Sequence, residues 1–348
     1  MQDKLVSFPV DKGSVIRDQM GRALRDLRIS VMDRCNFRCP YCMPEDKYHK
    51  DFKFLASEER LSFDEITRLA RLFAGLGVHK LRITGGEPLL RPGISELIGD
   101  LECIEGIDDI ALTTNGILLP QHAAALAAAG LSRVTVSLDA LDEKTFLEMS
   151  GGRGSRDKVL RGIKEASEAG LTPIKINAVI KRGINESSVL DLVKHFRGSG
   201  VIVRFIEYMD VGTINHWQRS ETVPAAEMLE RISDRWPLQP AEQNYHGEVA
   251  RRYLFEDGSG EIGFVTSVSE PFCGSCTRAR LSSDGKLYTC LFATGGMDLK
   301  GPMRAGATDE ELLQMLVDIW QKRTDRYSEE RAKHPDHEQK VEMYYIGG

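Results

Sequence analysis

No run of apolar residues in the 348-residue sequence approaches the roughly 20 needed to span a bilayer. The first thirty residues carry charges throughout and lack an apolar core followed by a cleavage site, so a secretory leader is not expected. Positive charge is not in excess either. The chain has 46 Lys and Arg against 52 Asp and Glu, a net charge of −6, so no global basic field points to nucleic acid or an acidic membrane surface. The expected setting is the cytoplasm, where thiols stay reduced and clustered cysteines ligate metal more often than they form disulfides.

Cysteine itself is scarce, and the way it is short is informative. Seven are present: Cys35, Cys39 and Cys42 form one triple, Cys273, Cys276 and Cys290 a second, and Cys103 stands alone. Neither triple has a fourth member. A cubane cluster that only carries electrons takes four thiolates, and structural zinc takes four ligands. Either a fourth ligand lies elsewhere in the chain or the open position is where chemistry happens. Cys103, on an apolar helical pattern, is expected to be a small buried core residue.

What the chain does have is a repeated strand–helix rhythm. Strands are expected over residues 27–32, 80–84, 109–113, 133–138, 174–179 and 201–207, with helices near 62–75, 94–103, 120–129, 155–169 and 186–197. Such repeats with short connections imply parallel strands and right-handed crossovers, as an open doubly wound sheet or a full or partial β/α barrel. After about residue 236 the rhythm changes to a turn-rich connection, short antiparallel strands, a helix near 308–322 and a charged tail. The chain therefore divides into residues 1–235 and 236–348.

Alternation within the strands tells what the first region encloses. Leu27, Ile29 and Val31 oppose Arg28 and Ser30; Leu81 and Ile83 oppose Arg82 and Thr84. Likewise Val134, Val136 and Leu138 oppose Thr135, Ser137 and Asp139, and Ile174 and Ile176 oppose Lys175 and Asn177. Each strand has an apolar face for covering helices and a polar face turned the other way. With Arg28, Arg82 and Lys175 on that polar face, the expectation is a wet cavity for an anionic ligand. At the end of the second strand, Gly85-Gly86-Glu87-Pro88 suits close approach of a ligand to backbone, though as a bare motif it is equally a tight turn.

The first triple follows the first strand, so its loop lies at the same end as Gly85–Glu87. With DRCNFRCPYC after the first strand and LRITGGEPLLR at the second, the chain resembles the radical S-adenosylmethionine superfamily. The resemblance implies that Cys35, Cys39 and Cys42 hold a [4Fe–4S] cluster whose open iron is chelated by S-adenosylmethionine. Reductive cleavage of the cofactor there would give a 5′-deoxyadenosyl radical.

The motifs TTNG, VSLDA and CGSCTRAR and the MYYIGG terminus follow in order, and with them the chain resembles the GTP 3′,8-cyclase family of molybdenum-cofactor biosynthesis. That resemblance implies a partial (β/α)6 TIM-like barrel, closed by a C-terminal α+β segment in which Cys273, Cys276 and Cys290 hold a second [4Fe–4S] cluster. It implies a lyase that converts GTP to (8S)-3′,8-cyclo-7,8-dihydroguanosine 5′-triphosphate. The GTP contacts implied are Arg28, Arg82, Thr113, Lys175, Arg278 and Arg280; those for S-adenosylmethionine are Tyr41, Gly86, Ser137 and Met209. Gly347 and Gly348 would enter the active site as a tail. An external electron donor, a next enzyme that receives the product and a homodimer are further expectations, with no nucleic-acid or membrane partner.

Weaker features remain. Residues 151–155, GGRGS, allow an anion-binding nest, but a flexible surface loop is the simpler reading. His49 and His246 stand in polar loops and are not expected to bind metal. Two competing readings are a peptide-modifying radical enzyme and a zinc-stabilised binding module with two sites of three cysteines and one histidine.

Overall fold

The computed structural model of the chain describes residues 15–333 and 339–347. Six strands follow one another in parallel register: β1 (Asp26–Ser30), β2 (Lys80–Thr84), β3 (Asp109–Thr114), β4 (Arg133–Ser137), β5 (Lys175–Ile180) and β6 (Ile202–Glu207). Between them run α1 (Phe63–Gly75), α2 (Ile94–Glu102), α3 (Leu119–Ala128), α4 (Glu143–Ser150), α5 (Arg156–Glu168) and α6 (Ser188–Phe196). Leu27, Ile29, Leu81, Ile83, Val134, Val136 and Ile176 are wholly buried, which places the apolar strand faces beneath the helices as alternation requires.

Local chemistry fixes the helix starts. Ser62 and Glu65 form a reciprocal capping box at α1, and Thr308 and Glu311 do the same at α9 (Asp309–Gln321). Asp142 caps α4 by accepting the Thr145 N–H at 2.8 Å. This helix and α7 (Ala225–Ser233) are absent from the sequence expectation; both are short and follow directly on strand-end loops. Cys103 corrects another expectation: it sits just past α2 as its exposed C-terminal cap, because the buried stripe of that helix ends at Leu101.

The C-terminal region is woven into the same sheet. Strands β7 (Leu238–Ala241), β8 (Arg251–Phe255) and β9 (Glu261–Val265) are antiparallel to one another, yet β9 runs parallel to β6. Strands β10 (Arg278–Leu281), β11 (Lys286–Tyr288) and β12 (Met297–Asp298) repeat the arrangement at the other edge, where β10 runs parallel to β1. The sheet thus has twelve strands with β12 and β7 at its ends, an unclosed barrel flanked on both edges by C-terminal strands. Residue 235 falls in the link between α7 and β7. Helices α8 (Lys300–Arg304), α9, α10 (Tyr327–Glu330) and α11 (Met343–Ile346) complete the described chain.

Candidate active site

The loop after β1 carries Cys35, Cys39 and Cys42. Its curl is held by the Cys42 and Met43 N–H groups, which both donate to the Cys39 carbonyl, and by buried Arg38, which donates to the carbonyls of Cys35, Phe37 and Tyr48. The Gly85–Glu87 turn forms its wall: Gly86 N–H donates to Met32 O at 2.6 Å and Glu87 N–H to Arg34 O at 2.8 Å. A Cβ at Gly85 would lie 2.5 Å from Met32 O, and one at Gly86 2.3 Å from Arg34 O, so only glycine admits this contact. Residues 151–155 support the loop from behind. Arg38 N–H donates to Ser150 O at 3.0 Å and the Phe37 ring lies against Gly154, so this glycine-rich segment is packed on the cysteine loop instead of standing free.

The three sulfurs line a cavity of about 170 Å3 with Gly85, Gly86, Asn115, Ser137 and Tyr41. Burial pushes the Cys35 thiol up to about 12 and raises those of Cys39 and Cys42. Such a group of buried sulfurs stays ionised only beside positive charge, which a bound iron–sulfur cluster supplies. Tyr41 donates to Asp139 at 2.8 Å, tying the cysteine loop to the end of β4, and Glu87, wholly buried, accepts from Thr114, Asn115 and Leu89, tying the end of β2 to that of β3.

Cys273, Cys276 and Cys290 line a larger cavity of about 210 Å3. Cys273 and Cys276 flank a single turn before β10, and Cys290 follows β11. Burial opposes ionisation of Cys276, yet the Arg278 and Arg323 guanidiniums, at 3.2 and 3.1 Å from its sulfur, outweigh it and hold the thiol down to about 6. Burial pushes Cys290 up to about 12. The two cavities share Tyr41, Thr113, Asn177, Val179, Ile206 and Met343, so the triples face each other across joined space.

Between them stands a row of cations. Arg280, Arg28 and Arg82 are register partners on β10, β1 and β2, and all three line the larger cavity with Arg278, Arg204 and Thr113. Burial, then the neighbouring guanidiniums of Arg280, Arg82 and Arg278, depresses the Arg28 pKa. Burial also lowers Arg204 to about 9 and Arg280 to about 10. Among the described residues, the buried donors Arg278 Nη1 and Arg204 Nε have no hydrogen-bond partner. Unpaired buried donors that repel one another fit a polyanion that completes them.

Lys175 shares the polar face and the field of Arg204 and Arg133, but it does not line either cavity; burial brings it down to about 8. Met209 lines the larger cavity with Tyr41, which both cavities share, whereas Gly86 and Ser137 line only the smaller cavity around the first triple. Gly347 reaches the barrel interior, where its carbonyl accepts from Arg280 and a Cβ would meet Thr84 Cγ2 at 2.2 Å. Gly348 lies outside the described residues. Sequence reasoning missed Arg204, although the alternation Val203–Arg204–Phe205 marks it as Arg82 is marked. It also missed Arg22 and Arg323: Arg22 has a local partner in Asp18, but the Cys273 and Asp325 carbonyls it holds, like the Asp18 and Cys276 contacts of Arg323, are distant in sequence and carry no local signal.

The donor sets decide between the ligand classes. His49 and His246 are exposed and line neither main cavity, so neither completes a site of three cysteines and one histidine. Among the described residues, no three His, Cys, Asp or Glu side chains converge on a single metal ion. Two thiolate triples rimming open space instead suit clusters with one iron left open to another ligand.

Comparison with known proteins agrees. The family described as Radical SAM superfamily matches residues 29–196, and that described as Molybdenum Cofactor Synthesis C matches residues 201–329. A GTP 3′,8-cyclase of Xanthomonas campestris pv. campestris (strain B100) is 54% identical over 333 residues, covering 96% of this chain and 97% of that one. The chain belongs to the GTP 3′,8-cyclase family. Cyclases of Acidothermus cellulolyticus and Staphylococcus aureus (strain MRSA252) are each 48% identical, over 96% of this chain and 99% of theirs. Among solved structures, methylornithine synthase (PylB) superposes with a TM-score of 0.47 at 14% identity, covering 61% of this chain and 62% of that one. A structure described as "Native anSMEcpe with bound AdoMet" gives 0.45 at 18% identity, covering 61% of this chain and 60% of that one. No helix among the described residues is long and apolar enough to cross a membrane.

Proposed function

We propose that this chain converts GTP to (8S)-3′,8-cyclo-7,8-dihydroguanosine 5′-triphosphate, the first step of molybdenum-cofactor biosynthesis. The observation that carries the reading is the arginine row lying between two cysteine triples in joined cavities. Cys35, Cys39 and Cys42 would hold one [4Fe–4S] cluster, with S-adenosylmethionine beside Tyr41, Gly86 and Ser137; Cys273, Cys276 and Cys290 would hold the other. The first cluster with its cosubstrate supplies, when bound, one-electron chemistry that ends in abstraction of a hydrogen atom.

The residues of the chain do the rest. Arg28, Arg82, Arg278 and Arg280 bind the triphosphate in planar, charge-assisted contacts, and Arg204 and Lys175 add charge from the neighbouring strands. Fixing the phosphates orients the ribose toward the first triple and the base toward the second, across the span that the two cavities share. Thr113 and Asn177, which line that span, supply polar contacts for the sugar or base. Met209 bounds the nucleotide cavity. The tail closes the space: Ile346 is wholly buried, Tyr344 packs on Tyr48 at 4.9 Å, and Gly347 meets Arg280. Closure of this kind excludes water from reactive intermediates.

An external low-potential electron donor, a downstream enzyme that takes the cyclised product, a homodimer and a cytoplasmic setting belong to the same proposal, supported by the family's chemistry. So does a functional division near residue 235, with radical generation on the first side and the second triple on the other. The test is anaerobic incubation of iron- and sulfide-reconstituted protein with reductant, S-adenosylmethionine and either GTP or ATP. GTP-dependent 5′-deoxyadenosine together with a cyclised guanosine product supports the reading; cofactor cleavage that leaves GTP unchanged removes GTP as substrate.

A further inference from the structure

The two triples sit in opposite electrostatic surroundings. Around the second, Arg323 is buried to 4% exposure. Its Nη2 donates to the Cys276 sulfur at 3.1 Å and its Nη1 to the Cys276 carbonyl at 2.9 Å, while its plane lies over Trp320 at 4.6 Å. Arg278 donates to the same sulfur at 3.2 Å. Arg22 holds the Cys273 carbonyl at 2.9 Å. The carboxylates facing this group are Asp18, 3.3 Å from Arg323 and paired with Arg22, and Asp325, also 3.3 Å from Arg323; Glu329 meets the Gly274 N–H at 3.1 Å.

Around the first triple, among the described residues, the sulfurs meet only neutral donors: the Phe37 N–H at 3.4 Å and the Asn115 amide at 3.8 Å from Cys35, the Tyr41 hydroxyl at Cys39 and the Tyr344 backbone N–H at Cys42. The charged neighbours there are the carboxylates Glu87, Asp139 and Glu342, and Arg38, which spends its short hydrogen bonds on backbone carbonyls. Hydrogen bonds and charge at the ligand sulfurs are among the protein's means of setting cluster potential. Adding one electron makes a cluster one unit more negative, which guanidiniums stabilise and carboxylates oppose.

We propose that Arg323 is a redox-tuning residue: with Arg278 it raises the reduction potential of a cluster held by Cys273, Cys276 and Cys290 above that of a cluster held by Cys35, Cys39 and Cys42. Asp18 sets how much of the Arg323 charge reaches the sulfur. The inference rests on the proposed reading that both triples hold [4Fe–4S] clusters. It adds a built-in ordering, in which the first electron delivered to the enzyme resides on the second cluster.

The experiment is a mediated redox titration of reconstituted holoenzyme followed by electron paramagnetic resonance, with the first cluster's signal identified by its response to S-adenosylmethionine. In the unmodified protein two clusters are expected, the unresponsive one reduced first. Arg323→Met should move that cluster's midpoint negative by at least a tenfold change in its reduction equilibrium, about 59 mV for one electron, and leave the other in place. Asp18→Asn should move it the opposite way, and Arg323→Lys, which keeps the charge, should restore most of the loss. Opposite signs are not what mere loosening of a loop produces. Unchanged midpoints, shifts of the same sign in Arg323→Met and Asp18→Asn, or loss of the second cluster from both would overturn the proposal. A single cluster in the unmodified protein would instead overturn the two-cluster reading on which it stands.

Discussion

Replacing Arg28 with Met should leave the substrate-free chain at least as stable while weakening its hold on GTP. Arg28 stands in register between Arg280 and Arg82, and burial together with their guanidiniums depresses its pKa. Adjacent strands lie about 5 Å apart, a spacing at which two cations repel by about 3 kcal/mol in a protein-like dielectric and by under about 1 kcal/mol in water. Arg28 is only partly buried against the cavity, so the lower part of that range applies to each neighbour. Met keeps much of the aliphatic packing, and relief of both repulsions offsets what is lost. GTP responds with the opposite sign: a charge-assisted contact to phosphate is worth up to about 3 kcal/mol, near a hundredfold in affinity. Anaerobic calorimetric titration with GTP and thermal unfolding with and without nucleotide read both quantities. A variant that loses more than about 1 kcal/mol of substrate-free stability and binds GTP unchanged would refute the reasoning, because Arg28 would then be a paired structural residue.

Four further outcomes follow from the same geometry. Because burial lowers Lys175 to about 8, below its ordinary value of 10.5, the folded chain gives up that proton first as pH rises. GTP affinity should therefore fall above pH 8, and Lys175→Met should remove that limb of the pH profile. Stability should show the converse: the unfolded chain, which holds the proton longer, loses ground as pH climbs from 8 toward 10.5. Gly347→Ala should cut turnover at least tenfold with little change in GTP affinity, and Thr84→Ser, which deletes the clashing methyl, should partly restore it. Asp210 accepts from Tyr327, Arg331 and Lys340, so Asp210→Asn should speed hydrogen exchange of amides 339–347 without a matching change in the barrel strands. Iron and sulfide analysis should give about eight of each per chain, falling by half in Cys290→Ser; zinc without sulfide would revive the binding-module reading.

Much of the barrel was legible because its signals are local. Alternating strands such as Lys80–Thr84 and Asp109–Thr114 carry their own period, and their observed limits fall within a residue or two of the expected ones. The same alternation brought Arg28 and Arg82 to one face, where they now stand side by side. Pairing of β9 with β6 and β10 with β1 was not legible, since these contacts join residues far apart in sequence and leave no periodic trace. Arg323 was hidden for the same reason: its partners Asp18 and Cys276 are 305 and 47 positions away. Cys103 misled because an apolar helix pattern does not say where the helix stops, and at α2 it stops one residue short.

The central claim is that the arginine row holds GTP so that its ribose meets the chemistry of the first triple. GTP carrying deuterium at C3′ tests this most directly, in a single-turnover anaerobic reaction analysed by mass spectrometry. The account predicts deuterium in the 5′-deoxyadenosine released and its absence from the cyclised product. Unlabelled 5′-deoxyadenosine formed alongside that product would contradict it, because the hydrogen would then have come from a position the site does not present.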